Sequence, residues 1–249
     1  MHEPATARSP PMVARTHPVE PHETRSFFLI RHGATALNRQ DAGGVDRVRG
    51  WKDVPLSDKG VREAEQMAKR LADSGIEVIV SSDFSRTRHT AGPIAEATGA
   101  LLIFTQLLRP WNVGIYTGQS SNEVHPELKK LAEKQPNVAP PEGESFNTFK
   151  ARVFEGLRHA FASSQGKKLG VVTHHRVERL INGWLAKGQP ADLTVDFKVM
   201  FKHGEDPGTA QKVKVDLAKL ADAHAPLTSL MGEDFANSLY DASRYRMEN

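Results

Sequence analysis

The feature that most constrains this chain is an alternation. Four short apolar runs, at 26–30, 76–80, 101–105 and 169–173, each have the length of a buried strand. Between and after them lie segments with apolar residues at helical spacing. One runs from about Asp58 to Ser74, with Ser57 as its cap, Val61, Ala64, Ala68 and Leu71 on one stripe, and Gly75 as its stop. A second covers about Arg86 to Thr98, interrupted or kinked at Gly92-Pro93. A third covers about Asn147 to Ser163, with Phe149, Val153, Leu157 and Phe161 in line. A fourth covers Arg176 to Lys187, carrying Val177, Leu180, Ile181 and Trp184. Strands alternating with helices predict an α/β fold: a three-layer αβα sandwich whose mostly parallel sheet has helices on both faces.

The rest of the chain divides around that pattern. Residues 1–25 hold five prolines and no apolar period, and read as a flexible arm. The arm lacks the apolar middle of a signal peptide. Residues 26–190 form the main domain. Within it, 107–145 is predicted to be irregular, with prolines at 110, 126, 136, 140 and 141, and reads as a lid insertion. Residues 191–249 form a C-terminal extension expected to pack on the same domain. There Val195–Phe201 reads as a strand, Val213–Leu220 as a strand or helix, and Glu233–Tyr245 as a short helix.

Composition narrows the function classes. A net charge of +3 gives no argument for nucleic acid. No apolar run approaches the roughly 18 residues that span a membrane. The chain has no cysteine, which removes disulfides and a thiol nucleophile and suits a cytoplasmic protein. Oligomeric state is not legible.

In a parallel sheet, ligands bind beyond the carboxyl ends of the strands. Arg31-His32-Gly33, Ser81-Ser82-Asp83 and His174 each follow an apolar run, so they are expected to converge on one edge. Arginine presents a planar fork to phosphoryl oxygens. Histidine is a competent nucleophile when one ring nitrogen is free and the other is held by an acceptor. Phosphoryl transfer requires both kinds of group together.

The residues around these points resemble the histidine phosphatase superfamily, also called phosphoglycerate-mutase-like. Phe28-Leu29-Ile30-Arg31-His32-Gly33-Ala34-Thr35-Ala36-Leu37-Asn38 is similar to an apolar strand followed by R-H-G-x-T-x-x-N. Residues 50–60 resemble G-x-x-D-x-P-L-S/T-x-x-G, and 81–91 resemble S-S-D-L-x-R-A-x-x-T-A. Gly143-Glu144-Ser145 matches G-E-S, and Val171-Val172-Thr173-His174 matches V-V-x-H. The five motifs stand in the family's order across about 26–187.

The resemblance implies roles. His32 becomes phosphorylated and water then releases phosphate. Arg31 and Arg86 clamp the equatorial oxygens, and His174 donates to the phosphoryl group. Gly33, Thr35, Asn38, Glu144, His175 and Trp111 line the phosphate and substrate pocket. Asn38 read alone suits a turn cap, and Glu144 a helix cap. Arg88 and His89 read as surface residues. No metal and no cofactor are implied, and the expected partner is a phosphorylated small molecule or a phosphoprotein.

One departure bears on mechanism. Most members carry a glutamate in a loop L-R-E-x-x-x-G-x-x-x-G, which protonates the leaving oxygen. Here the loop begins Leu108-Arg109-Pro110-Trp111-Asn112, and Pro110 cannot donate a proton. Glu123, Glu144 and His175 are candidate substitutes. Without an acid, worth roughly 10²–10⁴-fold in rate, the site should favour acyl phosphates, pyrophosphates, phosphohistidine or aryl phosphates. The alternative is a phosphate-binding scaffold with weak or no catalysis. The resemblance disfavours a mutase, since the family's mutases carry a longer insertion between the second arginine and second histidine, here 88 positions apart, and the loop lacks the glutamate.

Overall fold

The structure, a computed structural model, describes residues 23–38, 43–201 and 207–223. Five strands form one sheet: β1 (Thr24–Arg31), β2 (Val78–Ser82), β3 (Leu101–Thr105), β4 (Leu169–Thr173) and β5 (Ala210–Asp216). Their spatial order is β3-β2-β4-β1-β5. All neighbours run parallel except β5, which pairs antiparallel with β1.

Alternation along the strands creates two cores. Ile30, Ile79 and Val172 face one side, where Met67 and Leu71 of α1 (Asp58–Leu71) and Ile94 of α2 (Ser85–Thr98) cover them. Leu29, Val80 and Val171 face the other side. They meet Phe149, Val153 and Leu157 of α4 (Phe146–Ser164) and Leu180 and Trp184 of α5 (His175–Ala186). Each such buried side chain contributes about 1.5–3 kcal/mol of transfer free energy. The result is the predicted αβα sandwich.

The caps explain where two helices begin. Ser57 accepts from the Gly60 amide at the start of α1, and Ser145 from the Thr148 amide at the start of α4. Each such cap is worth about 1 kcal/mol. Gly75 and Gly99 take left-handed backbone just beyond α1 and α2, where a Cβ would be penalised.

Three expectations are corrected. The 107–145 stretch is not irregular throughout, because α3 (Ser121–Lys134) forms inside it despite Pro126. Burial of Val124, Leu128 and Leu131 outweighs the hydrogen bond that the proline forgoes. Helix α2 likewise continues through Pro93. Residues 195–201 are not a strand: Asp196 caps a short helix, α6 (Phe197–Met200), by accepting from two amides. Strand β5 is followed at once by α7 (Leu217–Asp222), so both structures proposed for 213–220 occur in succession. The arm up to residue 22 and the helix expected at 233–245 lie outside the described residues.

Candidate active site

Strand register builds the centre of the site. Arg31 pairs with Thr173 in the parallel β1–β4 ladder, so His32 and His174 are the next residues on adjacent strands. Parallel neighbours lie about 4.8 Å apart, and the two imidazole centroids are 5.2 Å apart. On the other side of β4, Ser81 pairs with Val172. That brings Ser82 level with the end of β4, where its Oγ lies 2.8 Å from His174 Nε2.

The hydrogen bonds fix both tautomers. His32 Nδ1 lies 2.7 Å from the Gly33 carbonyl, which can only accept. The neutral ring therefore carries its proton on Nδ1 and its lone pair on Nε2. Nε2 has no hydrogen-bond partner among the described residues. For His174, the Arg86 Nε–H donates to Nδ1 at 3.2 Å. Its proton is thus on Nε2, directed at Ser82 Oγ. Burial, followed by the Arg86 charge, holds both imidazoles well below the usual histidine range. Both are neutral at physiological pH.

Arg86 is nearly inaccessible, and each of its three nitrogens has a partner. Beyond His174, it donates to the carbonyls of Lys52 and Gly50, and Asp53 lies 3.8 Å away. Asp53 in turn accepts from the Ser85 amide and hydroxyl at the start of α2. The 50–53 loop is thereby tied to the end of β2. Burial and the nearby Arg49 charge lower the Arg86 pKa to about 9. Arg31 is lowered to about 10, mainly by burial, with Glu178 opposing the shift.

A cleft opens over these groups. His32, Arg86 and His174 line it, and so do Trp111, His175 and Pro110. Arg31, Gly33, Thr35, Asn38 and Glu144 are not among its lining residues. Gly33 has a packing role: a Cβ there would lie 2.4 Å from the Gly60 carbonyl. A Cβ on Gly60 would lie 2.0 Å from the Ala34 carbonyl, so the two motif glycines interlock. Asn38 Oδ1 accepts from the Thr35 amide and hydroxyl, closing the turn after the histidine. His175 faces the cleft but is lowered to about 2 by burial and by Arg31, so it is a neutral ring with no acidic proton to give.

Glu144 is engaged elsewhere. Its carboxylate receives Arg152 Nη2 at 2.5 Å, Arg152 Nε at 3.1 Å and the Asn112 amide at 2.9 Å. Trp111 Nε1 donates to its carbonyl. Arg152, on α4, also donates to the carbonyls of Leu107, Arg109 and Pro110. Together these two residues form the frame of the loop that holds Pro110. Glu123 is exposed and does not line the cleft. The cleft's lining includes one carboxylate, that of Asp46, which accepts from Ser121 Oγ and faces Arg49 at 3.5 Å.

Sequence reasoning missed Arg49, Arg152 and Arg176. Arg152 had a usable signal, because it stands on the same helical stripe as Phe149 and Val153, where a charge is unexpected. Arg49 and Arg176 had none. They meet only when the 43–50 loop folds against the start of α5.

This site and sheet define a class: an α/β protein that presents a buried, neutral histidine beside a fixed arginine and a second histidine at the carboxyl ends of its strands. Comparison with known proteins identifies the family. Residues 27–201 match the model of the histidine phosphatase superfamily (branch 1), and the chain belongs to that family. It is 32% identical over 151 residues to "Probable phosphoglycerate mutase GpmB" of Yersinia pestis (strain Pestoides F), covering 59% of this chain and 68% of that one. The mycobacterial glucosyl-3-phosphoglycerate phosphatase Rv2419c superposes with a TM-score of 0.59 at 22% identity, over 77% of this chain and 91% of that one. TTHB049 from Thermus thermophilus does so at 0.54 and 27%, over 76% and 93%. The neighbour at 22% identity supports the fold alone.

Proposed function

We propose that the chain is a metal-independent phosphohydrolase acting through a phosphohistidine at His32, on a phosphorylated small molecule or phosphoprotein in the cytoplasm. The observation that carries this reading is the His32–Gly33 hydrogen bond. It holds the ring proton on Nδ1 and leaves a lone pair at Nε2, in a ring that burial keeps neutral. In the first step Nε2 forms a bond to phosphorus, and the bond from phosphorus to the leaving oxygen breaks, with the electron pair going to that oxygen. In the second step water attacks phosphorus, the N–P bond breaks, the pair returns to Nε2, and both water protons leave on the product as dihydrogen phosphate. Arg86, with Arg31 behind it, supplies positive charge to the phosphoryl oxygens, and neutral His174 offers them the Nε2 proton that otherwise meets Ser82 Oγ.

The leaving-group side selects substrates. Pro110 offers no proton, Glu144 is held by Arg152, and His175 is neutral. The reading therefore favours leaving groups that depart as stable anions over alkoxides. The test is His32→Ala, assayed on aryl, acyl and anhydride phosphates, with rapid-quench trapping of an acid-labile phosphoprotein in the unaltered enzyme. Loss of turnover with a retained fold, and a trapped label absent from the variant, are expected. Full activity in the variant would overturn the mechanism. Phosphate binding with no turnover of any substrate would instead favour a scaffold, the reading that Pro110 motivates.

A further inference from the structure

The cleft is strongly cationic. Its lining holds four arginines, at 47, 49, 86 and 176, against the single carboxylate of Asp46. Arg86 is committed to the phosphoryl end through its bond to His174. Arg49 and Arg176 are not so committed. Arg49 is largely buried and uses one terminal nitrogen on the Arg47 carbonyl and Asp46. Arg176 lies over the Phe201 ring at 5.5 Å, and no oxygen among the described residues accepts from it within hydrogen-bonding distance. Desolvating two guanidinium groups in one cleft is costly unless an anion completes the site. Charge balance indicates its size. Four arginines against one carboxylate leave three positive charges, and a phosphoryl dianion offsets about two of them, which leaves about one for a second anionic group.

We infer that Arg49 and Arg176 form a leaving-group anion subsite, and that the preferred substrates are phosphoanhydrides whose leaving group is itself a phosphate. The inference rests on the phosphohistidine reading above and supplies what Pro110 removes. His32 Nε2 attacks the terminal phosphorus, and the P–O bond to the bridging oxygen breaks. That oxygen departs with its electron pair as part of a phosphate anion, which needs no proton. Two arginine forks can bind the oxygens that gain charge in this step. Asp46 sets the limit of the site, because it pairs with Arg49 and repels an anion placed too far toward α3.

The test separates binding from turnover. In the His32→Ala protein, calorimetry compares inorganic diphosphate with inorganic monophosphate. Diphosphate should bind at least tenfold more tightly, and the advantage should shrink at least tenfold on adding Arg176→Gln or Arg49→Gln. Arg176→Lys should recover part of it. In the unaltered enzyme, diphosphate should inhibit aryl phosphate turnover more strongly than monophosphate, a comparison that needs no variant. Equal affinity for the two anions, or an advantage insensitive to both arginines, would overturn the subsite. Turnover surviving His32→Ala would instead overturn the underlying mechanism and leave the binding result to stand on its own.

Discussion

The Nε–H of Arg86 donates to Nδ1 of His174 at 3.2 Å, joining the start of α2 to the end of β4 at the floor of the cleft. That bond sets the His174 tautomer and uses a donor that only a guanidinium can aim while its other nitrogens hold the Gly50 and Lys52 carbonyls. Lysine keeps the charge but cannot span the three acceptors. Arg86→Lys should therefore lower kcat/KM for an aryl phosphate by roughly 10²–10³-fold. A loss under threefold in steady-state kinetics would contradict the role assigned to the fork.

Stability should fall on acidification. His32, His174 and His175 have folded pKa values below the unfolded value of about 6.5. Above that pH both states are neutral and these groups contribute no pH dependence. Below it the unfolded chain takes up protons that the folded chain refuses, so stability is lost as pH falls from about 6.5 toward the folded values. The limiting slope is about 1.4 kcal/mol per pH unit for each fully buried ring. Urea denaturation at pH 7.5, 6.5 and 5.5 measures it, and a flat profile would count against neutral buried rings.

The Arg152–Glu144 pair should be a large local stability determinant. The Arg152 side chain is fully buried, and its fork holds three loop carbonyls besides the carboxylate. Truncating one partner of a buried pair leaves the other charge uncompensated, at about 3–5 kcal/mol. Glu144→Ala should lower the denaturation midpoint accordingly. A shift below about 1 kcal/mol would show the pair to be dispensable.

Gly33→Ala should fail for steric reasons rather than chemical ones. Its Cβ would press on the Gly60 backbone carbonyl at 2.4 Å, and no side chain can move aside to relieve it. Reduced soluble yield and a lowered Tm are expected. A variant with unaltered Tm would mean that the β1 end and the α1 start do not interlock.

Pro110→Glu should add an acid to the cleft wall. The Pro110 carbonyl is already held by Trp51 Nε1 and Arg152, so the backbone position should survive the change. The ratio of kcat/KM for an alkyl phosphate to that for an aryl phosphate should rise at least tenfold, because only the alkoxide needs the proton. An unchanged ratio would show that the missing acid does not limit the reaction.

Much of the site's floor was legible because it is local in sequence. An apolar run followed at once by Arg31-His32, by Ser81-Ser82 or by His174 places those residues at carboxyl ends of strands, whatever the details of packing. Alternation and helical stripes also sufficed for β3, β4 and α4, whose limits fall within about a residue of expectation. The 107–145 stretch was misjudged because its prolines outweighed a stripe at Val124, Leu128 and Leu131, which only burial against the α4 side of the core rewards. Residues 195–201 read as a strand because a short apolar run has no period of its own, and the Asp196 cap decided for a helix.

The sequence by itself determined the family, the sandwich and the alignment of His32 with His174, because hydrophobic period and strand-end position are properties of neighbouring residues. Tertiary structure alone decided which polar groups were spent and which remained available. Glu144 became the anchor of a loop because α4 carries Arg152 to it, and Arg49 and Arg176 became cleft walls because a loop and a helix start, more than a hundred positions apart, fold together. Such pairings follow from desolvation and charge balance across distant segments, which a linear pattern does not record.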